Sequence, residues 1–145
     1  SEYRLVVEYP DGVKDTPPSE EQEKAYDYLL EHQEEIRDAL LPRLFEEYER
    51  IGLQFTPEDR EAYGIPTITG PDELKICMGL SSVHILNLSK DGFAYLGLSF
   101  GCEWDDEHGS GAMLHKSRIL AVSDATASFD EWIAREDRDG TTEEH

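Results

Sequence analysis

Residues 83–100 read Val83-His84-Ile85-Leu86-Asn87-Leu88-Ser89-Lys90-Asp91-Gly92-Phe93-Ala94-Tyr95-Leu96-Gly97-Leu98-Ser99-Phe100. Two strand-like segments, 83–88 and 93–100, flank a turn at Lys90-Asp91-Gly92, and its Asp-Gly pair is a strong signal for a β-hairpin. From Leu96 to Phe100 every second residue is large and apolar, so one side of that strand is suited to a core. The rest of the chain must therefore cover this hairpin.

Further strands are predicted on both sides of the hairpin. Segments 3–9, 74–80, 112–115 and 118–122 have the composition or the two-residue period of strands, and the last two flank Lys116-Ser117. Because most successive strands are joined by short turns, we expect antiparallel neighbours.

A long helix is predicted before these strands. Ser19-Glu20-Glu21-Gln22 has the pattern of a capping box, and the apolar residues from Tyr26 to Ile51 recur at spacings of three and four. Pro42 predicts a kink or break near Leu41, because proline lacks the backbone N–H that helix continuation requires. A second helix is expected from about residue 124, with three large residues directed inward: Phe129, Trp132 and Ile133.

These elements predict an α+β fold: an antiparallel sheet of about five strands with a long N-terminal helix, or kinked helix pair, and a C-terminal helix. The length of 145 residues favours one domain, which we place at 1–135, followed by a polar tail at 136–145.

The chain is strongly acidic, with 33 acids against 13 bases and a net charge of −20. This charge argues against binding to a nucleic acid or an anionic membrane, and it favours a basic protein partner. The sequence contains no apolar run near 18 residues and no signal peptide pattern, so we expect a cytoplasmic protein.

The segment Phe100-Gly101-Cys102-Glu103-Trp104-Asp105-Asp106-Glu107-His108-Gly109-Ser110-Gly111 has the composition least typical of a helix or strand. A metal site is disfavoured, because the spacing of its potential ligands matches no known pattern. Acid–base catalysis by Glu107 and His108 is open, as is a structural loop with a bulge at Gly101 and Gly109. A fourth alternative is a presented surface in which Trp104 and the surrounding acids bind a basic protein.

The run Ala94-Tyr95-Leu96-Gly97-Leu98-Ser99-Phe100-Gly101-Cys102-Glu103-Trp104-Asp105-Asp106-Glu107-His108-Gly109-Ser110-Gly111-Ala112-Met113 contains Trp-Asp-x-Glu-His-Gly between two strands. With its surroundings it resembles an uncharacterised bacterial domain family that carries this signature. That family is similar in setting to the immunity proteins encoded beside polymorphic toxins. The resemblance implies Trp104, Asp105, Glu107, His108 and Gly109 as signature residues, while Ser110 stands where many members carry an aliphatic residue.

We therefore expect an acidic protein-binding (immunity-type) protein that occludes a basic partner such as a toxin. The predicted partner-binding residues are Trp104, Asp105, Asp106, Glu107 and His108, and no catalytic residue, metal or cofactor is predicted. One alternative is a metal-dependent or acid–base enzyme centred on Glu107 and His108, with His115 as a further group. The other is a purely structural domain with no site.

Overall fold

The computed structural model of the chain is a five-stranded sheet with helices on both faces. It describes residues 3–52, 56–62, 70, 73, 78–102, 105–123 and 125–139, without the side chains of residues 11, 51, 52, 78, 102, 105–109, 125 and 126. The predicted α+β class, with N-terminal helices and a C-terminal helix, is confirmed.

The strands follow one another across the sheet in chain order, and those from β2 to β5 pair antiparallel. The first strand pairs parallel to the second, because the chain between them passes through helices instead of a tight turn. This pair is the exception to the predicted antiparallel sheet. The strands are β1 (Arg4–Val7), β2 (Met78–Lys90), β3 (Phe93–Cys102), β4 (Asp105–His115) and β5 (Arg118–Ser123).

The predicted hairpin joins β2 to β3. Asp91 and Gly92 have φ of 55° and 86°, which is the left-handed backbone that an Asp-Gly turn favours. The two strands predicted at 74–80 and 83–88 form one continuous strand from Met78, and residues 74–77 lie outside the described residues. The strand continues because its register shifts between Leu80 and Ser82, which accommodates an extra residue, Ser81, as a bulge.

The N-terminal helical region divides into α1 (Glu20–Glu31) and α2 (Gln33–Gly52), followed by the short α3 (Pro57–Ala62). The predicted capping box is present, with Ser19 and Gln22 bonding to each other's backbone N–H groups. Of the predicted kink or break near Leu41, the break is wrong, because the helix divides at His32 and Pro42 lies inside α2. Pro42 and Asp38 are both exposed, so water can hydrate the Asp38 carbonyl group that proline leaves unbonded.

One face of the sheet, here called the helix face, is covered by α1 and α2. Its core is apolar, and leucines of β3 pack there against leucines of both helices. Nine residues carry most of this contact: Ala25, Leu29, Ile36, Leu40, Leu44, Val83, Ile85, Leu96 and Leu98.

The opposite face, here called the terminal face, is covered by a 3-10 helix (Ala125–Phe129) and by α4 (Glu131–Asp139). The 3-10 helix approaches β3 so closely that a Cβ atom added at Gly97 would lie 1.4 Å from the Ser128 carbonyl oxygen. The prediction that Phe129 and Trp132 point inward is wrong, since they are 44% and 66% exposed and the smaller Ala134 is buried instead.

Candidate functional site

Four of the five predicted partner-binding residues lie at the start of β4. Trp104 lies outside the described residues, while residues 105–108 form the beginning of β4 and their side chains are not described. Asp105 pairs with Cys102, and the register shifts between Phe100 and Cys102, on either side of Gly101. The predicted irregularity at Gly101 is therefore present, although most of the predicted loop continues the hairpin as strand.

His115 is at the other end of the same strand. Since β4 runs without a break from Asp105 to His115, eight residues of strand, or about 25 Å, separate the backbone of Glu107 from that of His115. His115 therefore cannot join Glu107 and His108 in one active site, and this part of the enzyme alternative is wrong.

His115 instead belongs to a buried polar cluster under α4. Its Nε2–H donates to the carbonyl oxygens of Lys90 and Phe93, at 2.7 and 3.2 Å, and Arg118 Nη2 lies 3.4 Å from Nδ1. Burial lowers the pKa of His115, and the Arg118 charge lowers it further against the opposing effect of the carbonyl contacts. The imidazole is consequently a neutral structural group.

Asp137 is the centre of this cluster. Its Oδ2 accepts from the Tyr95 hydroxyl at 2.7 Å and from Arg118 Nη2 at 2.8 Å, while Lys90 Nζ lies 3.9 Å away. Burial acts to raise the pKa of Asp137, but the bonds from Arg118 and Tyr95 and the nearby positive charges hold it below its usual value. Burial first, and then the bond to Asp137, raise the pKa of Tyr95.

The sequence analysis missed Asp137, which it assigned to the polar tail from residue 136. The structure continues α4 through Asp139 and buries Asp137. No local pattern distinguishes this acid from its neighbours, because its partners Tyr95 and Arg118 are distant in sequence. This cluster fixes α4 on the sheet.

The outer surface of α1 and α2 presents two rows of exposed carboxylates, here called the acidic rows. The spacings of three and four residues on α1, and of three and eight on α2, place each row along one side of its helix. Among the described residues, one ion pair reaches these rows, from Lys24 to Glu20 at 3.4 Å. The row on α1 comprises Glu20, Glu23, Asp27 and Glu31, and the row on α2 comprises Glu35, Asp38, Glu46 and Glu49.

An apolar groove of about 400 Å³ lies between these helices and the helix face of the sheet. Leu30 and Tyr3 are 43% and 36% exposed at its edge, and Glu34 contributes a carboxylate there. Leu80 and Phe100 line the groove from the sheet. Phe100 is two residues from the Cys102–Asp105 pair, so the groove reaches the end of the sheet where the predicted partner-binding turn begins.

Two further findings limit the chemistry of the described part of the chain. No group of three His, Cys, Asp or Glu residues there could hold a metal ion. None of the helices in that part is long and apolar enough to cross a membrane.

The family of the chain is shown by comparison with protein-family models. The model of a domain of unknown function, DUF6985, matches residues 1–129. Because this match covers most of the 145 residues, the chain belongs to that family. No curated protein and no solved structure matches the chain. The family description names no activity, so the function has to be argued from the residues.

Proposed function

We propose that this member of an uncharacterised family is an acidic binding protein that occludes a basic partner, as an immunity protein does with a toxin. The observation that carries the proposal is an exposed apolar groove on the same two helices that carry the acidic rows. Protein interfaces combine these two features, since they have an apolar centre and a polar rim.

The acidic rows supply the electrostatic part of the interaction. Seven of their eight carboxylates have no ion-pair partner among the described residues, so their charge is available to a cationic surface. Opposite charges on two proteins accelerate their encounter and reduce binding of wrong partners. The net charge of −20 acts in the same direction at longer range.

The groove supplies an apolar anchor point. Leu30 and Tyr3 offer exposed apolar surface at the groove, and an apolar side chain of the partner matches this surface. Trp104, Asp105, Asp106, Glu107 and His108 are proposed to extend this binding surface from the β3–β4 turn. The resemblance of residues 94–113 to a family with an immunity-like setting supports the same function.

The proposal is tested by capturing the partner and then measuring its association with the purified chain. A Trp104→Ala/Glu107→Ala double variant should retain the partner at least tenfold more weakly than the wild type, because truncating an aromatic anchor commonly costs about 2 kcal/mol. The matched control is Trp132→Ala/Glu131→Ala, which removes an exposed tryptophan and a neighbouring acid from α4.

The salt dependence of the association rate is the second measurement. Between about 0.1 M and about 1 M salt the Debye length falls from about 10 Å to about 3 Å, so steered association should slow at least tenfold. Glu35→Gln/Asp38→Asn should reduce this dependence without loss of folding. A captured protein that is not basic, or an association rate unaffected by salt, would contradict the proposal.

A further inference from the structure

The terminal face of the sheet contains a cleft of about 450 Å³ that no part of the proposed function uses. The bulge in β2 places Ser81 and Ser82 opposite Ser99 of β3, and His84 follows two residues after Ser82 on the same face. Because α1 and α2 cover the other face of the sheet, this cleft is separate from the acidic rows and the groove.

The three hydroxyl groups form a chain that ends at the imidazole. Ser81 Oγ lies 3.0 Å from Ser99 Oγ and donates to the Ser99 carbonyl oxygen at 3.1 Å. Ser99 Oγ bonds to Ser82 Oγ, and Ser82 Oγ lies 3.0 Å from His84 Nε2. Ser82 and Ser99 are buried, whereas Ser81 is exposed at the mouth of the cleft. Hydroxyl hydrogens can rotate, so such a chain can orient its donors toward a negative charge at its open end.

A cation lies beside this chain. Arg4 of β1 pairs in register with Ser82, and because paired residues of parallel strands share a face, its side chain lines the cleft. Arg4 forms no ion pair with any residue in the described ranges, although the chain has 33 acids. A guanidinium group without a carboxylate is able to bind an oxyanion through two parallel hydrogen bonds.

The remaining described residues of the cleft add an aromatic ring and no negative charge. The Phe129 ring meets the His84 ring edge-on, with 5.4 Å between their centroids, and is 44% exposed. No described carboxylate lines the cleft. Burial first, and then the Arg4 charge, lower the pKa of His84, so the imidazole is neutral at pH 7. The volume is in the range of sites for small organic molecules and exceeds the needs of a bare ion.

We propose that this cleft binds the oxyanion group, phosphate or carboxylate, of a small organic molecule. Arg4 and Ser81 bind the oxyanion, the Ser99–Ser82–His84 chain orients the hydroxyl donors, and Phe129 packs against the body of the ligand.

The test is a titration of the intact chain with inorganic phosphate, and separately with acetate, at constant ionic strength. Backbone amide shifts in ¹⁵N-resolved NMR spectra report binding residue by residue, and the same spectra report whether each variant is folded. We expect saturable shifts at Ser82, Ser99 and Gly97 with at least one of the two anions. The anion with the stronger response identifies the oxyanion class.

Two variants and one control decide the outcome. Arg4→Gln should weaken binding at least tenfold, because a charge-assisted pair is lost, and Ser81→Ala should weaken it by a few fold. The matched control Arg37→Gln removes an exposed arginine from α2, on the other side of the sheet, and should bind like the wild type. Absence of saturable shifts with both anions, or equal binding by Arg4→Gln and the control, would overturn the proposal.

Discussion

The two faces of the sheet are built from different chemistry. The helix face is an apolar layer in which leucines of β3 meet leucines of α1 and α2. The terminal face has a buried polar cluster around Asp137 at one end and the hydroxyl cleft around Ser82 at the other. A close backbone approach at Gly97 lies between them. The helix face therefore holds the fold mainly through apolar burial, with buried Gln22 as a polar contact to the backbone of β2. The terminal face depends more on individual bonds and on one contact distance.

This difference explains where each face can support a function. Apolar burial needs no specific outer residue, so α1 and α2 are free to carry the acidic rows on their exposed sides. On the terminal face, polar residues converge from three strands. A binding surface suits the first face and a small-molecule cleft suits the second.

The largest effect expected on the terminal face is that of Gly97→Ala. The added Cβ would lie 1.4 Å from the Ser128 carbonyl oxygen, so the 3-10 helix has to move away from β3. We expect a loss of about 3 kcal/mol in the free energy of unfolding, measured by urea denaturation. Gly101→Ala is the matched control, because the same atom at Gly101 meets nothing within 4 Å. Equal stability of the two variants would mean that the 3-10 helix does not pack on β3.

A smaller loss is expected from Tyr95→Phe, which removes one donor from the buried Asp137 carboxylate. A buried polar group that lacks a hydrogen-bond partner costs about 1–3 kcal/mol, so we expect the free energy of unfolding, measured by urea denaturation, to fall by about 2 kcal/mol. Tyr28→Phe is the control on the helix face, since its hydroxyl reaches Ser117 Oγ only at 3.5 Å. That change should cost at most about 0.5 kcal/mol. Similar losses in both variants would remove the distinction drawn between the faces.

The polar cluster should also make stability depend on pH. The pKa of Asp137 is lower in the folded than in the unfolded chain. Its contribution to the free energy of unfolding is therefore complete above about pH 4, and it is lost as the pH falls through the pKa of the folded chain. Asp137→Asn should therefore lose less stability on acidification than the wild type, by at most about 1.4 kcal/mol per pH unit. Asp38→Asn, which removes an exposed carboxylate of α2, should keep the acid-dependent loss.

Tyr95 of the same polar cluster should make the protein less stable at alkaline pH. The pKa of Tyr95 is raised by folding, so its contribution is complete below about pH 10 and is lost as the pH rises above that value. Thermal unfolding of the wild type and of Tyr95→Phe across this range checks the expectation. An unchanged difference between the two proteins from pH 8 to about pH 11 would contradict it.

The smallest effect is expected on the helix face, where Pro42→Ala should increase stability by about 1 kcal/mol. The change restores a backbone N–H inside α2 and removes a poor helix former, while the unfolded chain gains freedom that offsets part of the gain. Urea denaturation provides the measurement, with Ala39→Ser at an exposed position of the same helix as a control for surface changes. A loss of stability would show that the proline has a packing role.

Much of the secondary structure could be predicted because it depends on neighbouring residues. The capping box at Ser19 and Gln22, the Asp91-Gly92 turn and the apolar alternation in β3 are all present in the structure. The break at His32 could not be predicted, because it depends on how Leu29 and Ile36 both reach the sheet. Proline has a strong local preference, yet packing of the rest of α2 outweighs it.

The candidate sites divide in the same way. The excess of acids and its helical spacing are visible in the sequence, and the structure shows them as exposed rows. The cleft was not predicted, because Arg4, Ser82 and Ser99 are far apart in sequence and become neighbours only through strand pairing. The same holds for Asp137, whose local surroundings are typical of a solvated tail.

The sequence by itself therefore determined the α+β class, the capped helix, the hairpin turn and the acidic character, because each follows from local periodicity, turn geometry or composition. Only the tertiary structure decided the parallel pairing of β1, the inward position of Asp137 and the exposure of Phe129 and Trp132. These features depend on which distant segments come into contact. In a sheet, the register of the strands and the space over each residue decide which segments meet, as the close approach at Gly97 shows.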